Sequence, residues 1–105
     1  MHTDNIAHPR NIDPLVLRAC EKLILLGLTT PRGVADIFVV WSPHVDLFDV
    51  SVIVGGWKSG SRTRHPSFSV LLKAANAADL LQIALHEVEK TLTERIKILS
   101  LTGTK

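Results

Sequence analysis

Two runs of alternating residues, separated by a long polar segment, constrain the fold of this chain more than any other feature. Residues 47–54 read LFDVSVIV and residues 67–72 read SFSVLL. Successive side chains of a β-strand point to opposite faces, so each run predicts a strand with one apolar inner row. The expected inner rows are Phe48, Val50, Val52 and Val54 in the first run, and Phe68, Val70 and Leu72 in the second.

The connecting segment, residues 55–66, is basic and rich in glycine. Its sequence GGWKSGSRTRHP is longer than the roughly 2–5 residues of a tight hairpin, and its glycines and proline oppose strand continuation. An indole offers a flat apolar surface, and guanidinium groups bind carboxylate or phosphate through a planar fork. The alternative is a solvated loop whose indole packs back on the sheet. We expect a binding loop whose partner-binding residues are Trp57, Lys58, Arg62, Arg64 and His65.

The distribution of charge indicates what kind of partner this loop would meet. The net charge is only +2, yet residues 50–78 contain four basic side chains and no acidic one. The rest of the chain carries eight basic and ten acidic residues. A local positive field favours an acidic protein surface or a nucleoprotein complex as partner. Direct binding of nucleic acid is the alternative.

Two segments have helical periodicity. Asp13 and Pro14 are a typical helix start, because Asp accepts from an early N–H and Pro suits the first turn. Gly27 is expected to end that helix. From about Ala75 to Leu99 a second, longer helix is predicted by a continuous apolar stripe, formed by Leu81, Leu85, Val88, Leu92, Ile96 and Leu99.

Residues 34–41, VADIFVVW, predict a third strand that is apolar on both faces except at Asp36. Something must therefore cover its second face, either the N-terminal helix or a partner subunit. An uncovered row of Ile37, Val39 and Trp41 would promote association. A homodimer through the 34–41 strand is one expectation.

These elements predict an α+β fold in the order α-β-β-β-α. The simplest arrangement is a three-stranded antiparallel meander with the long C-terminal helix packed on one face and the N-terminal helix beside it. We expect residues 1–105 to be a single domain, with 1–12 a loose N-terminal arm and 100–105 a frayed tail.

Motifs for catalysis, cofactors and membrane insertion are missing from the sequence. Cys20 is the single cysteine, which predicts a buried structural thiol in a cytoplasmic protein. No secretory signal is visible, and no apolar run approaches the ~18 residues of a membrane span. The histidines lack metal-ligand spacing, and the glycines match no nucleotide-binding fingerprint. We expect a protein that is not an enzyme and has no cofactor or metal.

Several local features resemble the double-stranded-RNA-binding domain. The order of elements is similar, and Pro43, His44 and Phe48 followed by residues 50–56 resemble that family's turn and second strand. Residues 74–78 resemble the start of its second helix. The resemblance implies that His44 faces a minor groove. The family's phosphate-binding lysine cluster corresponds here to Leu71, Leu72 and Ala75.

The expected function is that of a small non-catalytic protein-interaction module that docks through the basic loop. In its short length and lack of motifs the chain is similar to accessory proteins of phages and mobile elements, including anti-CRISPR inhibitors of host complexes. The alternative is a nucleic-acid-binding domain with the topology of the double-stranded-RNA-binding family, in which the loop cations neutralise phosphates and Trp57 stacks on a base.

Overall fold

The computed structural model describes residues 11–54 and 66–101. Its elements are helix α1 (Pro14–Thr29), strands β1 (Ala35–Ser42), β2 (Leu47–Val54) and β3 (Ser67–Leu71), and helix α2 (Ala77–Leu101). The predicted α+β class and the order α-β-β-β-α are confirmed.

The three strands form one antiparallel sheet in the order β1-β2-β3, as the meander requires. Val50 pairs with Val39 on one side and with Phe68 on the other. One residue earlier on β2, Asp49 pairs with Val40 and with Ser69. Because directly paired residues share a face of the sheet, the first set belongs to an inner row and the second to an outer row.

The inner row and both helices share one hydrophobic core. Phe48, Val50 and Val52 are at most 3% exposed, as the alternating pattern predicted, whereas Val54 at the end of β2 is exposed. Helix α1 packs against β1 and α2, and α2 also contacts β2 and β3. Ile37 and Val39 therefore pack against the core rather than lying uncovered. The fully buried members of the core with the largest side chains are Leu23, Leu81, Val50, Val52 and Val88.

Helix α1 starts where the sequence predicted but ends later. The side chain of Asp13 accepts a hydrogen bond from the N–H of Leu15 at 2.8 Å. The prediction that Gly27 ends the helix is wrong, because α1 continues to Thr29 and its cap is Thr30. Gly27 instead lies against β1, where a Cβ atom would stand 3.4 Å from the carbonyl oxygen of Ile37. Gly27 is thus an interior residue of the helix at its contact with the strand.

Helix α2 extends well beyond the core. Its last buried residue is Leu92, and none of residues 93–101 is buried. Ser100 and Leu101, expected in a frayed tail, are the last two helical residues, while residues 1–10 and 102–105 lie outside the described part of the chain. Within that described part, neither helix combines the length and apolarity needed to cross a membrane.

Candidate partner-binding surfaces

The five predicted partner-binding residues, Trp57, Lys58, Arg62, Arg64 and His65, lie outside the described residues. The structure does show how the two ends of their loop are held. Val54 is the last residue of β2, and the buried Pro66 precedes β3. The N–H of Val52 donates to the carbonyl oxygen of Pro66 at 3.1 Å. Both ends of the loop are therefore attached to the same end of the sheet.

A groove of about 390 Å³ lies beside the loop's first end, between Val54 and the outer surface of α2. Its charged side chains are Glu87, Lys90, Glu94 and Arg95, so their formal charges cancel. The Nε atom of Arg95 is buried and has no hydrogen-bond partner among the described residues. The described side chains of this groove therefore contribute no net formal charge.

The outer row of the sheet is a second candidate surface. Val40 and Leu71 are 52% and 54% exposed, and Phe38 and Leu47 are half-buried. The hydroxyl of Ser69 donates to the carboxylate of Asp49 across β2 and β3. Ser51 and Ile53, on the central strand, are buried. The outer face is thus mixed, with exposed apolar side chains on both edge strands.

The edge of β1 that faces away from β2 adjoins this outer row. Within residues 11–54 and 66–101, β1 pairs only with β2. Strand β1 contains neither lysine nor proline, two residue types that commonly protect an exposed edge. Such an edge can accept a further strand through backbone hydrogen bonds.

A larger cleft lies at the opposite end of the sheet, where both helices begin. We call it the acidic cleft, because its carboxylates are Asp13 and Asp46 and its single described cation is Lys73. Its volume is about 690 Å³. The described residues that line it are Asn11, Ile12, Asp13, Val16, Trp41, Asp46, Leu72, Lys73, Ala74, Ala75 and Ala78.

The floor of the acidic cleft is fixed by contacts around Asp46. This residue has a left-handed backbone with φ of 51°, a conformation that Asp tolerates better than most residues. Its carbonyl oxygen accepts the N–H of Leu72 at 2.9 Å, and Lys73 Nζ lies 3.0 Å from its Oδ2. The β1–β2 turn and the β3–α2 connection are thereby joined.

The cleft includes positions at which the double-stranded-RNA-binding family places its phosphate-binding lysines. Leu72 and Ala75 line the cleft, and Leu71 is the exposed last residue of β3. Among the described residues of the cleft, two carboxylates and one lysine give a formal charge of −1. His44 is exposed in the nearby β1–β2 turn.

Two features of the described residues bear on chemistry, namely the state of Cys20 and the placement of possible metal ligands. Cys20 is buried on α1, and burial, with a smaller contribution from the charge of Glu21, raises the pKa of its thiol to about 11. A thiol with that pKa is almost entirely protonated at neutral pH. Within the described ranges, no group of three or more His, Cys, Asp or Glu side chains is placed to hold a metal ion.

Sequence reasoning missed the acidic cleft, which combines the start of α1, the end of β1, the β1–β2 turn and the start of α2. Two of its residues stood out in the sequence, Asp13 as a helix cap and Trp41 as the last residue of an apolar strand.

Comparison of the chain with known protein families, curated proteins and solved structures gives no match.

Proposed function

We propose that this chain is a small non-catalytic protein-interaction module. The observation that carries the proposal is its exposed apolar surface. Fifteen large apolar side chains of the described residues are between 37% and 78% exposed, and all but Val45 lie on helices or strands. Scattered exposed apolar residues are normal, but contiguous ones mark interaction sites. On the outer row of the sheet, exposed Leu71 pairs directly with half-buried Leu47, and exposed Val40 lies on the same face.

The basic loop, with Trp57, Lys58, Arg62, Arg64 and His65, is the proposed contact with an acidic partner. Its support is the sequence together with the anchoring of both loop ends on paired strands, which limits the entropy lost when the loop binds. The partner class that suits these cations is an acidic protein surface or a nucleoprotein complex. In its more specific form, the proposal is that the chain inhibits such a complex, as the anti-CRISPR proteins of phages do.

Affinity capture from cells of the source organism tests the loop. The chain is used as wild type and as a Trp57→Ala, Arg64→Ala variant. A matched control, Gln82→Ala with Lys97→Ala, truncates one exposed neutral side chain and removes one charge on α2. We expect a partner that is retained by wild type and control and lost by the loop variant. The same captured proteins with all three would contradict the loop's role.

The second candidate is direct nucleic-acid binding, favoured by the element order and by the packing of both helices on one face of the sheet. The carboxylates of Asp13 and Asp46 in the acidic cleft argue against it, because like charges repel. The phosphate contacts would then have to come from the loop cations. Binding to short duplex and single-stranded RNA and DNA should be measured across a range of salt concentrations. If the loop holds phosphates, Arg62→Ala with Arg64→Ala lowers the duplex salt slope by about 1.8, since each contact contributes about 0.9. Absence of binding at low salt excludes this candidate.

A further inference from the structure

We propose that the groove beside Val54 binds a carboxylate side chain of a partner protein through the guanidinium group of Arg95. The groove lies between the end of β2 and the outer surface of α2, next to the point where the basic loop begins. This inference rests on the proposed function, because it names what an acidic partner presents beside the loop. The volume of the groove, about 390 Å³, falls within the range of roughly 300–1,000 Å³ that is typical of ligand pockets.

The observation that carries this inference is an unsatisfied donor on Arg95. The residue is half-buried on α2, and its Nε atom is buried without a hydrogen-bond partner in the described ranges 11–54 and 66–101. Buried polar groups in proteins almost always have a partner, so such an atom indicates an acceptor that binds to it. A carboxylate suits it best, because its two oxygens accept from Nε and from a terminal nitrogen of the same guanidinium group.

The other charged side chains of the groove lie apart from Arg95 on the surface of α2. Lys90 is three residues after Glu87 and four before Glu94, spacings at which helical side chains are neighbours. Glu94 also precedes Arg95 directly, but consecutive helical side chains do not face each other. The positions three or four residues from Arg95 are occupied by Thr91, Leu92, Ile98 and Leu99. The groove therefore has one positive side, formed by Arg95, although its formal charge is zero.

Apolar side chains next to Arg95 favour a particular kind of partner. Val54 and Ile98 both line the groove and are 45% and 50% exposed. An aliphatic side chain beside the ligand's carboxylate would remove this apolar surface from water. The favoured ligand is thus a glutamate or aspartate next to a leucine, isoleucine or valine. A nucleic acid has no aliphatic side chain of this kind, and its repeated phosphates would be repelled by Glu87 and Glu94.

The test uses NMR on the ¹⁵N-labelled full chain with the blocked tripeptide acetyl-Leu-Glu-Gly-amide as probe. Its analogue acetyl-Leu-Gln-Gly-amide has nearly the same shape without the charge. The Nε–H signal of Arg95 is assigned by its loss in an Arg95→Lys variant. We expect saturable shifts of that signal and of the backbone N–H signals of residues 91–98, with a Kd at least fivefold higher for the glutamine peptide. Equal binding of the two peptides would overturn the proposal.

Two substitutions connect the binding to the guanidinium group. Arg95→Lys keeps the positive charge but removes the planar fork, and Arg95→Gln removes the charge as well. The first should raise the Kd for the glutamate peptide at least threefold and the second at least fivefold. Arg18→Gln, the same change at an exposed position of α1, should leave it unchanged. An unchanged Kd for Arg95→Gln would contradict the inference. So would tighter binding of inorganic phosphate than of the peptide at Arg95, because the ligand would then be a phosphate group.

Failure of this inference is distinguishable from failure of the proposed function, because the peptide is tested without a partner and the capture experiment changes only the loop. A chain that captures a partner through Trp57 and Arg64 but does not bind the peptide contradicts the inference alone. Saturable, charge-dependent binding of the peptide without a loop-dependent partner supports the groove and contradicts the loop.

Discussion

Gly27 of α1 lies against Ile37 of β1, and a Cβ atom on Gly27 would stand 3.4 Å from the Ile37 carbonyl oxygen. That distance is ordinary van der Waals contact, so a methyl group fits without displacing the strand. Glycine within a helix costs about 1 kcal/mol relative to alanine. We expect Gly27→Ala to raise the free energy of unfolding by about 0.5–1 kcal/mol in urea denaturation. Gly27→Leu should lower it by about 1–3 kcal/mol, because the larger group cannot be accommodated. A lower free energy of unfolding for Gly27→Ala would show that α1 and β1 are closer together than this distance indicates.

The cap of α1 gives a second prediction. Asp13 accepts the N–H of Leu15 at 2.8 Å, and loss of such an acceptor costs about 1 kcal/mol. Asp13→Ala should therefore lower the free energy of unfolding by about 1 kcal/mol, while Asp13→Asn should stay within a few tenths of wild type. Chemical denaturation of the three proteins measures the difference. Equal losses in both variants would mean that charge rather than capping stabilises the helix start.

Adjacent leucines on α2 give a matched test of the core. Leu81 is 0% exposed and Leu80 is 37% exposed. Leu81→Ala should cost about 2–5 kcal/mol of unfolding free energy, because it removes buried methyl groups and leaves a cavity. Leu80→Ala should cost well under half as much. Similar losses at the two positions would be inconsistent with the packing of α2 on the sheet.

Cys20 predicts a change of stability at high pH. Its pKa is raised from 9.0 to about 11 in the folded chain, so the folded state binds the thiol proton more tightly than the unfolded state does. This stabilisation is complete below pH 9 and is lost as the pH rises toward 11. Against Cys20→Ala, the wild type should lose up to about 2–3 kcal/mol of unfolding free energy over that window. Parallel pH profiles for the two proteins would contradict the buried environment of the thiol.

The exposed edge of the 34–41 strand, β1 of the structure, predicts self-association. Val40 is 52% exposed on this strand, and a lysine on an edge strand opposes pairing with another chain. Sedimentation equilibrium should show a mass that rises with concentration for wild type and for Ile83→Lys, a control on exposed α2. Val40→Lys should weaken the association at least tenfold. A monomer mass at all concentrations for the wild type would exclude a homodimer through this strand.

The sequence predicted the sheet better than it predicted the surfaces. Alternation at Phe48, Val50 and Val52 is a local pattern that directly reports a buried row, and Asp13 with Pro14 is a local signal for a helix start. Gly27 was misread because glycine's general preference for helix ends says nothing about a strand packed on it. The sequence singled out Asp13 and Trp41 separately but did not place them together, since they and Asp46 meet only once the sheet and helices are assembled.

The length of α2 beyond its last buried residue has a practical consequence. Nine residues follow Leu92 within the helix, and at 1.5 Å per residue they lengthen it by about 13 Å. A spin label or fluorophore at exposed Ser100 would thus be attached to a helical segment whose orientation follows that of the rest of the molecule. Such a label would report the tumbling of the molecule, and slower tumbling when a large partner binds, without changing any buried side chain.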